Sequence, residues 1–492
     1  MKPLGIDEIK RAVHGRWLSL PFRWRGAVPA RSDASVDTKP TLIVRGICTD
    51  SRQANPGEVF FALRGERYDG HDFLTSAADR GCISAVVNHD VSISDEIIQK
   101  FPAGVIAVAD TVSALGDLAE YYRTKLTATV VAITGSNGKT TVKEMVHHIL
   151  SKRMKGSAAQ KSYNNAVGVP LTLLAAEGDD TYIICEAGTN RPGEIANLAR
   201  IIKPDIAVIT SVHKTHLEGL GSIERVAVEK ASLLSGLSPG GLAVLWADSE
   251  LLKTAVDGYD VKTVWFGEDS SADLRLTDYR SVSGGGKFQM NDRLWVNLAV
   301  PGKHNALNAL AAIAVAGRFG IPPATAADDL KDYTGTKMRL ESINIGGITI
   351  INDAYNSNPA SLRAGVAALE SYPGKRRIVV AGDMAELGPS SEQMHRLSGK
   401  AIAAMGVGLI VGVGKLGKFI ADGADSVGGV HTERISSVQK ACKVLPTLLK
   451  PGDVILIKGS RVMRMERLVE AVCSVLQQRK GKRSSKRRVR TC

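Results

Sequence analysis

Residues 130–145, VVAITGSNGKTTVKEM, constrain the fold of this chain more than any other segment. A short apolar run leads into a glycine-rich turn, and apolar residues at helical spacing follow it. A strand, such a turn and a helix in this order form a phosphate cradle, because backbone N–H groups and the helix N-terminus face the anion. The longer phosphate-loop signature has one more glycine where this chain has Ile133, but the shorter loop keeps every donor.

The turn therefore predicts a site for ATP or GTP. Lys139 supplies positive charge to the β- and γ-phosphates, and the hydroxyl of Thr140 is suited to ligate Mg²⁺. The residues expected to contact the nucleotide here are Gly135, Ser136, Asn137, Gly138, Lys139, Thr140 and Thr141.

Short apolar runs alternate with helical patterns along most of the chain, which indicates an α/β protein of three domains. Five runs over residues 129–267 predict a central ATP-binding domain (128–336), whose parallel P-loop-type sheet carries helices on both faces. Four runs over residues 347–460 predict a smaller Rossmann-like, doubly wound domain (337–478). A smaller N-terminal α/β domain (1–127) precedes them, with a loop insertion at about 22–40.

Charge and cysteine content narrow the class of protein. The formal net charge is +13, and eight basic residues with no acidic one stand in residues 479–492. We expect a disordered basic tail there, able to contact nucleic acid or an anionic membrane. Six scattered cysteines, and the lack of a signal sequence or a transmembrane run, predict a soluble cytoplasmic protein.

Polar residues at the ends of two predicted strands suggest a metal site. Glu186 ends one strand and His216 follows the next, at the edge of the sheet that carries the phosphate loop. His213 competes with His216, and spacing alone does not choose between them.

Several motifs together resemble a known family. GSNGKTT, EAGTNRPGEI, THLEGLGSIERVAVEK and GKHNALNALAA resemble, in this order, signatures of the Mur ligase family, the ATP-dependent amide ligases of peptidoglycan precursor synthesis. CTDSRQANPGEVFFALRGERYDGHDFL, INDAYNSNP, AGDMAELG and IKGSR resemble in particular the members that join D-alanyl-D-alanine to UDP-N-acetylmuramoyl-tripeptide. The resemblance covers nearly the whole chain, excluding the insertion and the tail.

The resemblance implies roles for individual residues. Implied catalytic residues are Lys139, Glu186, His216 and Lys230. Two Mg²⁺ ions are expected on Thr140, Glu186, His216 and Lys230, with Lys230 carbamylated so that it presents a carboxylate. Implied contacts to adenine, ribose and phosphate are His304, Asn305, Arg339 and Asp353. Implied contacts to the UDP-sugar peptide and the dipeptide are Ser51, Arg52, Asn164, Asn165, Asn190, Asn356, Lys458 and Ser460.

The implied reaction passes through an acyl phosphate, and the family suggests a monomer. Departures from the family pattern include Met338, where a glycine usually precedes the arginine, together with Ser162 and Ser232. Two alternatives stay open. One is the ligase that adds the third residue, diaminopimelate or lysine, or another amino-acid ligase of the superfamily. The other is a nucleotide-gated binding protein whose basic tail docks on RNA or membrane.

Overall fold

The computed structural model describes residues 1–19, 42–160 and 162–488, and for Ser19 and residues 480–488 it describes the backbone alone. The insertion expected at about residues 22–40 lies outside the described residues. None of the helices in the described ranges combines the length and the apolar character that crossing a membrane requires.

The N-terminal region contains a five-stranded sheet in the order β2-β7-β6-β5-β4, parallel except for β2 at one edge. A short antiparallel pair, β1 with β3, lies apart from it. The strands are β1 (Leu4–Gly5), β2 (Arg16–Ser19), β3 (Ile43–Val44), β4 (Gly46–Cys48), β5 (Glu58–Phe61), β6 (Ser84–Asn88) and β7 (Val105–Val108). The helices are α1 (Ile6–Ala12), α2 (Leu74–Asp79), α3 (Asp95–Gln99) and α4 (Thr111–Arg123).

The central region is built on a nine-stranded sheet in the order β16-β15-β14-β13-β12-β11-β8-β10-β9. Strands β8–β14 pair in parallel, whereas β14, β15 and β16 form an antiparallel extension. The strands are β8 (Thr129–Thr134), β9 (Gly156–Ala158), β10 (Tyr182–Glu186), β11 (Ile206–Ile209), β12 (Leu242–Trp246), β13 (Lys262–Gly267), β14 (Leu274–Val282), β15 (Gly285–Met290) and β16 (Leu294–Leu298). The helices are α5 (Lys139–Ser151), α6 (Gly168–Ala175), α7 (Glu194–Ile202), α8 (Leu217–Leu220), α9 (Ile223–Ala231), α10 (Glu250–Val256), α11 (Lys303–Arg318) and α12 (Pro323–Asp329).

The C-terminal region contains a six-stranded sheet in the order β17-β18-β22-β19-β20-β21, parallel except for β17. The strands are β17 (Glu341–Ile345), β18 (Ile348–Asp353), β19 (Arg376–Gly382), β20 (Leu409–Val413), β21 (His431–Ile435) and β22 (Asp453–Lys458). The helices are α13 (Pro359–Ala368), α14 (Ser391–Ala403), α15 (Gly417–Asp425), α16 (Val438–Leu448) and α17 (Glu466–Arg488).

Both large parallel sheets are buried on their two faces. In β8, Val130 and Ala132 pack in one hydrophobic cluster, while Val131 and Ile133 pack in another on the opposite face. Successive side chains of a strand point to opposite faces, so continuous apolar runs are what a doubly covered sheet requires. The predicted α/β architecture is confirmed, while the domain boundaries at 127, 336 and 478 stay predictions.

The C-terminal helix differs from the prediction. The sequence predicted a disordered tail from residue 479, but α17 continues to Arg488. Lysine, arginine and glutamine are good helix formers, and this segment continues directly from a helix already packed on the C-terminal sheet through Leu468 and Val472. The helix is therefore extended rather than started anew, which avoids the cost of nucleation.

Candidate active site

The phosphate loop joins β8, which ends at Thr134, to α5, which begins at Lys139. Gly135 and Gly138 have φ angles of 147° and 85°, in the region that glycine adopts without strain. A Cβ atom at Gly135 would collide with the hydroxyl of Thr210, and one at Gly138 would collide with the side chain of Asn308. Both glycines are thus required by conformation and by space.

The end of β11 holds the loop in place. The backbone N–H of Ser136 donates to Ser211 O and that of Asn137 donates to Ser211 Oγ, each at 2.9 Å. The Thr210 hydroxyl donates to Asn137 O at 2.5 Å. The loop backbone is therefore fixed by its neighbouring strand before any ligand binds.

Lys139 lies in the loop with its Nζ donating to Gly135 O at 2.7 Å. Burial is the main cause that lowers the pKa of this ammonium to about 8; the nearby charge of Arg339 acts in the same direction, and Glu186 and Glu386 oppose it. Within the described ranges, Lys139 forms no ion pair with a carboxylate. Its charge is available to an anionic ligand.

Glu186, at the end of β10, is fully buried beside the loop. Its Oε2 accepts a hydrogen bond from Thr140 Oγ1 at 3.2 Å. Its Oε1 accepts no hydrogen bond from any described residue and lies 3.5 Å from Nζ of the buried Lys143. A threonine hydroxyl and a carboxylate oxygen are the ligands that Mg²⁺ prefers, so these two residues fit the ion.

Metal binding would need further ligands. In the described part of the chain, no group of three His, Cys, Asp or Glu side chains is arranged to hold a metal ion by itself. The oxygen of Thr140 and a modified lysine fall outside such groups, so the predicted ligand set stays a prediction.

Both candidate histidines line the same cavity. His216 Nδ1 lies 2.5 Å from Glu386 Oε2, and this close contact is the main cause that lowers the pKa of Glu386. The ring of His213 packs edge-on against Trp246 with centroids 5.2 Å apart, and burial lowers its pKa to about 4. Sequence reasoning missed Glu386, although it lies in the AGDMAELG motif.

Lys230 lies in α9 with 1% of its surface exposed. Burial, and then the positive charge of Lys139, lower its pKa well below the ordinary value. Its ammonium has neither a hydrogen bond nor an ion pair within the described residues, whereas the neighbouring Glu229 accepts from the backbone N–H groups of Gly193 and Ile195 at 2.7 and 2.8 Å. A neutral amine at this position is the form that reacts with CO₂.

Arg339 brings the C-terminal region to the phosphate loop. Its Nη2 donates to Thr140 Oγ1 at 2.9 Å, and its guanidinium stacks over the ring of Tyr355 at 4.3 Å from the centroid. The flanking residues Met338 and Leu340 have φ angles of 60° and 52°, which strain a residue with a side chain. Glycine at position 338 would relieve one of these two strained positions.

Asp353 was predicted to contact the nucleotide and Lys458 the dipeptide, but the two side chains form an ion pair with each other. Asp353 and Lys458 are register partners across β18 and β22, and Lys458 Nζ lies 2.6 Å from Asp353 Oδ2. Lys458 also donates to Asn356 O at 2.9 Å. The hydroxyl of Ser460 donates to Asp383 O at 2.5 Å. The strand ends of the C-terminal sheet thus form a hydrogen-bonded edge of the site.

The segment that is predicted to contact adenine, with His304 and Asn305, lies at the start of α11. Asn305 Nδ2 donates to Pro301 O at 2.7 Å, and Asn308 Nδ2 donates to Asn305 Oδ1 at 3.2 Å. Burial lowers the pKa of His304 to about 4, so this imidazole is neutral. Asn308 was not predicted, although it repeats Asn305 at helical spacing on the same face.

One cavity of about 630 Å³ gathers most of the predicted residues. Its lining includes Ser136, Asn137, Gly138, Lys139, Thr140, Thr141, Asn164, Asn165, Glu186, Asn190, His216, His304, Asn305, Arg339, Asp353, Asn356, Lys458 and Ser460. Gly135 and Lys230 are not part of this lining: Gly135 O accepts from Nζ of the lining residue Lys139, and the charge of Lys139 also lowers the pKa of Lys230.

Ser51 and Arg52 lie in the N-terminal region and do not line this cavity. Ser51 is buried, whereas Arg52 is exposed and pairs with Asp50 through Nε at 2.9 Å and Nη2 at 2.8 Å. The structure therefore separates these two residues from the phosphate loop. A UDP group bound there would require an extended substrate.

Comparison with known families places the chain. Three family models match successive segments: the Mur ligase family catalytic domain at residues 43–123, the Mur ligase middle domain at residues 133–316, and the Mur ligase glutamate ligase domain at residues 338–461. These matches cover well over half of the chain. It belongs to the Mur ligase family.

Individual relatives narrow the resemblance to one branch. The UDP-N-acetylmuramoyl-tripeptide--D-alanyl-D-alanine ligase of Bacillus subtilis is 36% identical over 434 residues, 87% of this chain and 93% of that protein. The crystal structure of MurF from Acinetobacter baumannii has a TM-score of 0.82 at 29% identity and covers 96% of this chain and 99% of its own. That of MurF ligase from Thermotoga maritima in complex with ADP has a TM-score of 0.78 at 28% identity, covering 89% and 99%.

Proposed function

We propose that this chain uses ATP to join D-alanyl-D-alanine to the terminal carboxylate of UDP-N-acetylmuramoyl-tripeptide. The observation that carries the proposal is the single cavity in which the phosphate loop, the buried Glu186 and the polar strand ends of the C-terminal region meet. The Bacillus subtilis relative, a UDP-N-acetylmuramoyl-tripeptide--D-alanyl-D-alanine ligase, indicates the substrates.

The chemistry explains why such a cavity is needed. A carboxylate is a poor acyl donor, because oxide would have to leave. A carboxylate oxygen attacks the γ-phosphorus of ATP, and the bond between that phosphorus and the β-phosphate oxygen breaks. ADP is released, and the peptide carboxyl group becomes an acyl phosphate. The amine of D-alanyl-D-alanine then attacks the carbonyl carbon, loses a proton, and expels phosphate as the amide forms.

The obstacle is the approach of two anions, the carboxylate and the γ-phosphate. Lys139 and the N–H groups of the loop face the phosphates and offset their charge. Mg²⁺, when bound, screens the same repulsion and stabilises the transferring charge. Thr140 and Glu186 would hold it, with His216 and Lys230 as further proposed ligands for two ions.

Lys230 can ligate a metal ion only if its side chain loses its positive charge. An ammonium does not ligate a cation, whereas addition of CO₂ to the neutral amine gives a carbamate that does. Complete burial and a lowered pKa favour the neutral amine that this addition requires. We include the carbamate at Lys230 in the proposal for this reason.

The remaining residues would position the substrates. We propose that Arg339, Asp353, His304 and Asn305 contact the nucleotide. The asparagines at 164, 165 and 190 would contact the peptide and the dipeptide, together with Asn356, Lys458 and Ser460. Ser51 and Arg52 would contact the UDP group, outside the central cavity. Approach of the C-terminal region to the loop would exclude water, which otherwise hydrolyses the acyl phosphate.

Mass analysis of the product tests the proposal. Purified protein given ATP, Mg²⁺, UDP-N-acetylmuramoyl-tripeptide and D-alanyl-D-alanine should release phosphate and form the UDP-muramoyl-pentapeptide. Parallel reactions should offer diaminopimelate or lysine with the UDP-muramoyl-dipeptide. A product only in the second set would replace the proposal with the third-residue-adding ligase, and phosphate release with neither would reject both.

A further inference from the structure

Two asparagines connect the phosphate loop directly to the C-terminal region. Asn358 Nδ2 donates to Asn137 Oδ1 at 2.7 Å, and Asn137 Nδ2 approaches Asn358 Oδ1 at 3.5 Å. Asn137 is the residue before Gly138 in the loop, and Asn358 precedes α13. The two residues lie 221 positions apart, so this contact exists only when the two regions meet.

Each asparagine is anchored in its own region. The backbone of Asn137 is held by Thr210 and Ser211, as described above. Asn358 is the N-cap of α13, where its Oδ1 accepts from the N–H of Ser361 at 2.9 Å and its own N–H donates to Ser361 Oγ at 3.0 Å. The backbone of Asn137 and the side chain of Asn358 therefore have little freedom left to lose when the two residues meet.

The geometry also brings together two helix N-termini. Gly138 is the N-cap of α5 and Asn358 is the N-cap of α13, so their contact region places the positive ends of both helix dipoles side by side. Like poles repel each other, and a neutral amide pair supplies attraction without adding charge. An anion at the loop would relieve the repulsion, whereas the amide pair determines where α13 sits.

We propose that Asn137 and Asn358 are a pair of positioning residues that align the C-terminal region on the phosphate loop when ATP is bound. The hydrogen bond between the two asparagines fixes the position of α13 relative to the phosphate loop. The C-terminal region can therefore close over the nucleotide in only one alignment. This inference rests on the proposed ATP-dependent ligation.

A double-mutant cycle tests the pair. Asn137→Ala removes one side chain and leaves the loop backbone, and Asn358→Ser keeps an N-cap acceptor that is too short to reach Asn137. Each variant should lower kcat/KM for ATP about tenfold, and the double variant should be no worse than either, because both remove the same interaction. Losses that multiply to about a hundredfold in the double variant would overturn the proposal.

Small-angle scattering separates positioning from general stability. With a non-hydrolysable ATP analogue, the wild-type radius of gyration should fall, and the fall should be smaller in both single variants. Ser437→Ala, which removes the N-cap of α16 in the same region, is the matched control: it should lower the thermal midpoint without changing closure or kcat/KM for ATP. Wild-type closure in both asparagine variants would contradict the proposal.

The scattering measurement does not require the acyl acceptor. If the wild-type protein closes on the analogue and the variants do not, while D-alanyl-D-alanine is not ligated, the pair stands and the proposed function fails. If ligation occurs and the variants match the wild type in every measurement, the pair fails and the function stands.

Discussion

The two junctions between the three regions are built differently. The N-terminal and central regions share one buried hydrophobic cluster, in which Leu118 and Tyr122 of α4 lie with Leu173 of α6 and Ile201 of α7. Across the junction between the central and C-terminal regions, no buried hydrophobic cluster extends within the described residues. Polar pairs meet there instead.

The difference indicates which parts can move. Separating an apolar junction exposes a large surface to water and is costly, whereas water replaces a few lost polar contacts at a smaller net cost. The N-terminal and central regions should therefore behave as one body. The C-terminal region, joined through Arg339, Asn358 and Glu386, should open and close on it.

The largest expected effect concerns the charge at the polar junction. Lys139→Ala should reduce ligation by about a hundred- to a thousandfold, since the loop loses its cation at the phosphates. Phosphate release under saturating substrates measures it. Lys155→Ala, which removes an exposed lysine paired with Glu177 and Asp179, should have no such effect. Retained turnover in Lys139→Ala would refute its role.

Lys230→Ala should inactivate the protein to a comparable degree, because the proposed carbamate is lost. A short carboxylate such as formate or acetate, supplied in solution, should restore part of the activity by entering the space left behind. Activity assays with and without the carboxylate give the comparison, and Lys230→Met is a bulkier control that should resist rescue. Full activity in Lys230→Ala would exclude the carbamate.

Leu118→Ala tests the apolar junction itself. Removing this fully buried side chain should lower the free energy of unfolding by about 2–5 kcal/mol. In denaturant, the N-terminal and central regions should unfold in one transition, and the substitution should move the midpoint of that transition to a lower denaturant concentration. Leu397→Ala, at a half-exposed leucine of α14, should change the free energy by less than about 0.5 kcal/mol. Two separate transitions would show that the shared core does not couple the regions.

Arg52→Ala should affect only the UDP-sugar substrate. Among the residues that the structure describes, only Asp50 pairs with this exposed guanidinium, which leaves it accessible to a substrate; its loss should raise KM for UDP-N-acetylmuramoyl-tripeptide by about tenfold. Steady-state kinetics with each substrate varied in turn separate the effects. An equal rise in KM for ATP would show that the role of Arg52 is not limited to binding the UDP group.

The smallest effect is a pH dependence of ATP recognition. Burial lowers the pKa of Lys139 to about 8, so the ammonium is charged at pH 7 and mostly neutral at pH 9. Because only the charged form attracts phosphate, kcat/KM for ATP should fall several-fold over this range. Lys139→Arg, which stays protonated, should give a flatter profile from a lower starting value. A parallel decline in both proteins would assign the titration to another group.

The sequence predicted the parallel sheets because their strands are continuous apolar runs. TVVAIT became β8 and GLIVGVG contains β20. The antiparallel extension β14–β16 was missed, although Leu274 and Leu276 alternate with polar residues and glycines follow at residues 284–286. Its strands are half exposed, so each one alone gives a weak signal.

Residues that line the cavity were predictable where a motif contains them, and not where only a tertiary contact brings them there; their roles stay predictions. Lys143 stands on a helix, where a lysine is typical of an exposed face, but it is buried against Glu186. Asn358 acquires its contact with Asn137 only when two distant regions meet. Local patterns do not contain such information, because it depends on the arrangement of whole sheets.

The phosphate loop has a consequence for inhibitors. Gly135 and Gly138 have positive φ angles, and a Cβ atom at either position would collide with the side chain of Thr210 or Asn308, so neither glycine can be replaced without strain. A compound that binds in the cavity against Gly138 would therefore contact a position that does not tolerate substitution. Resistance would have to arise through substitution of other residues that line the cavity, and such substitutions should also weaken binding of the natural substrates.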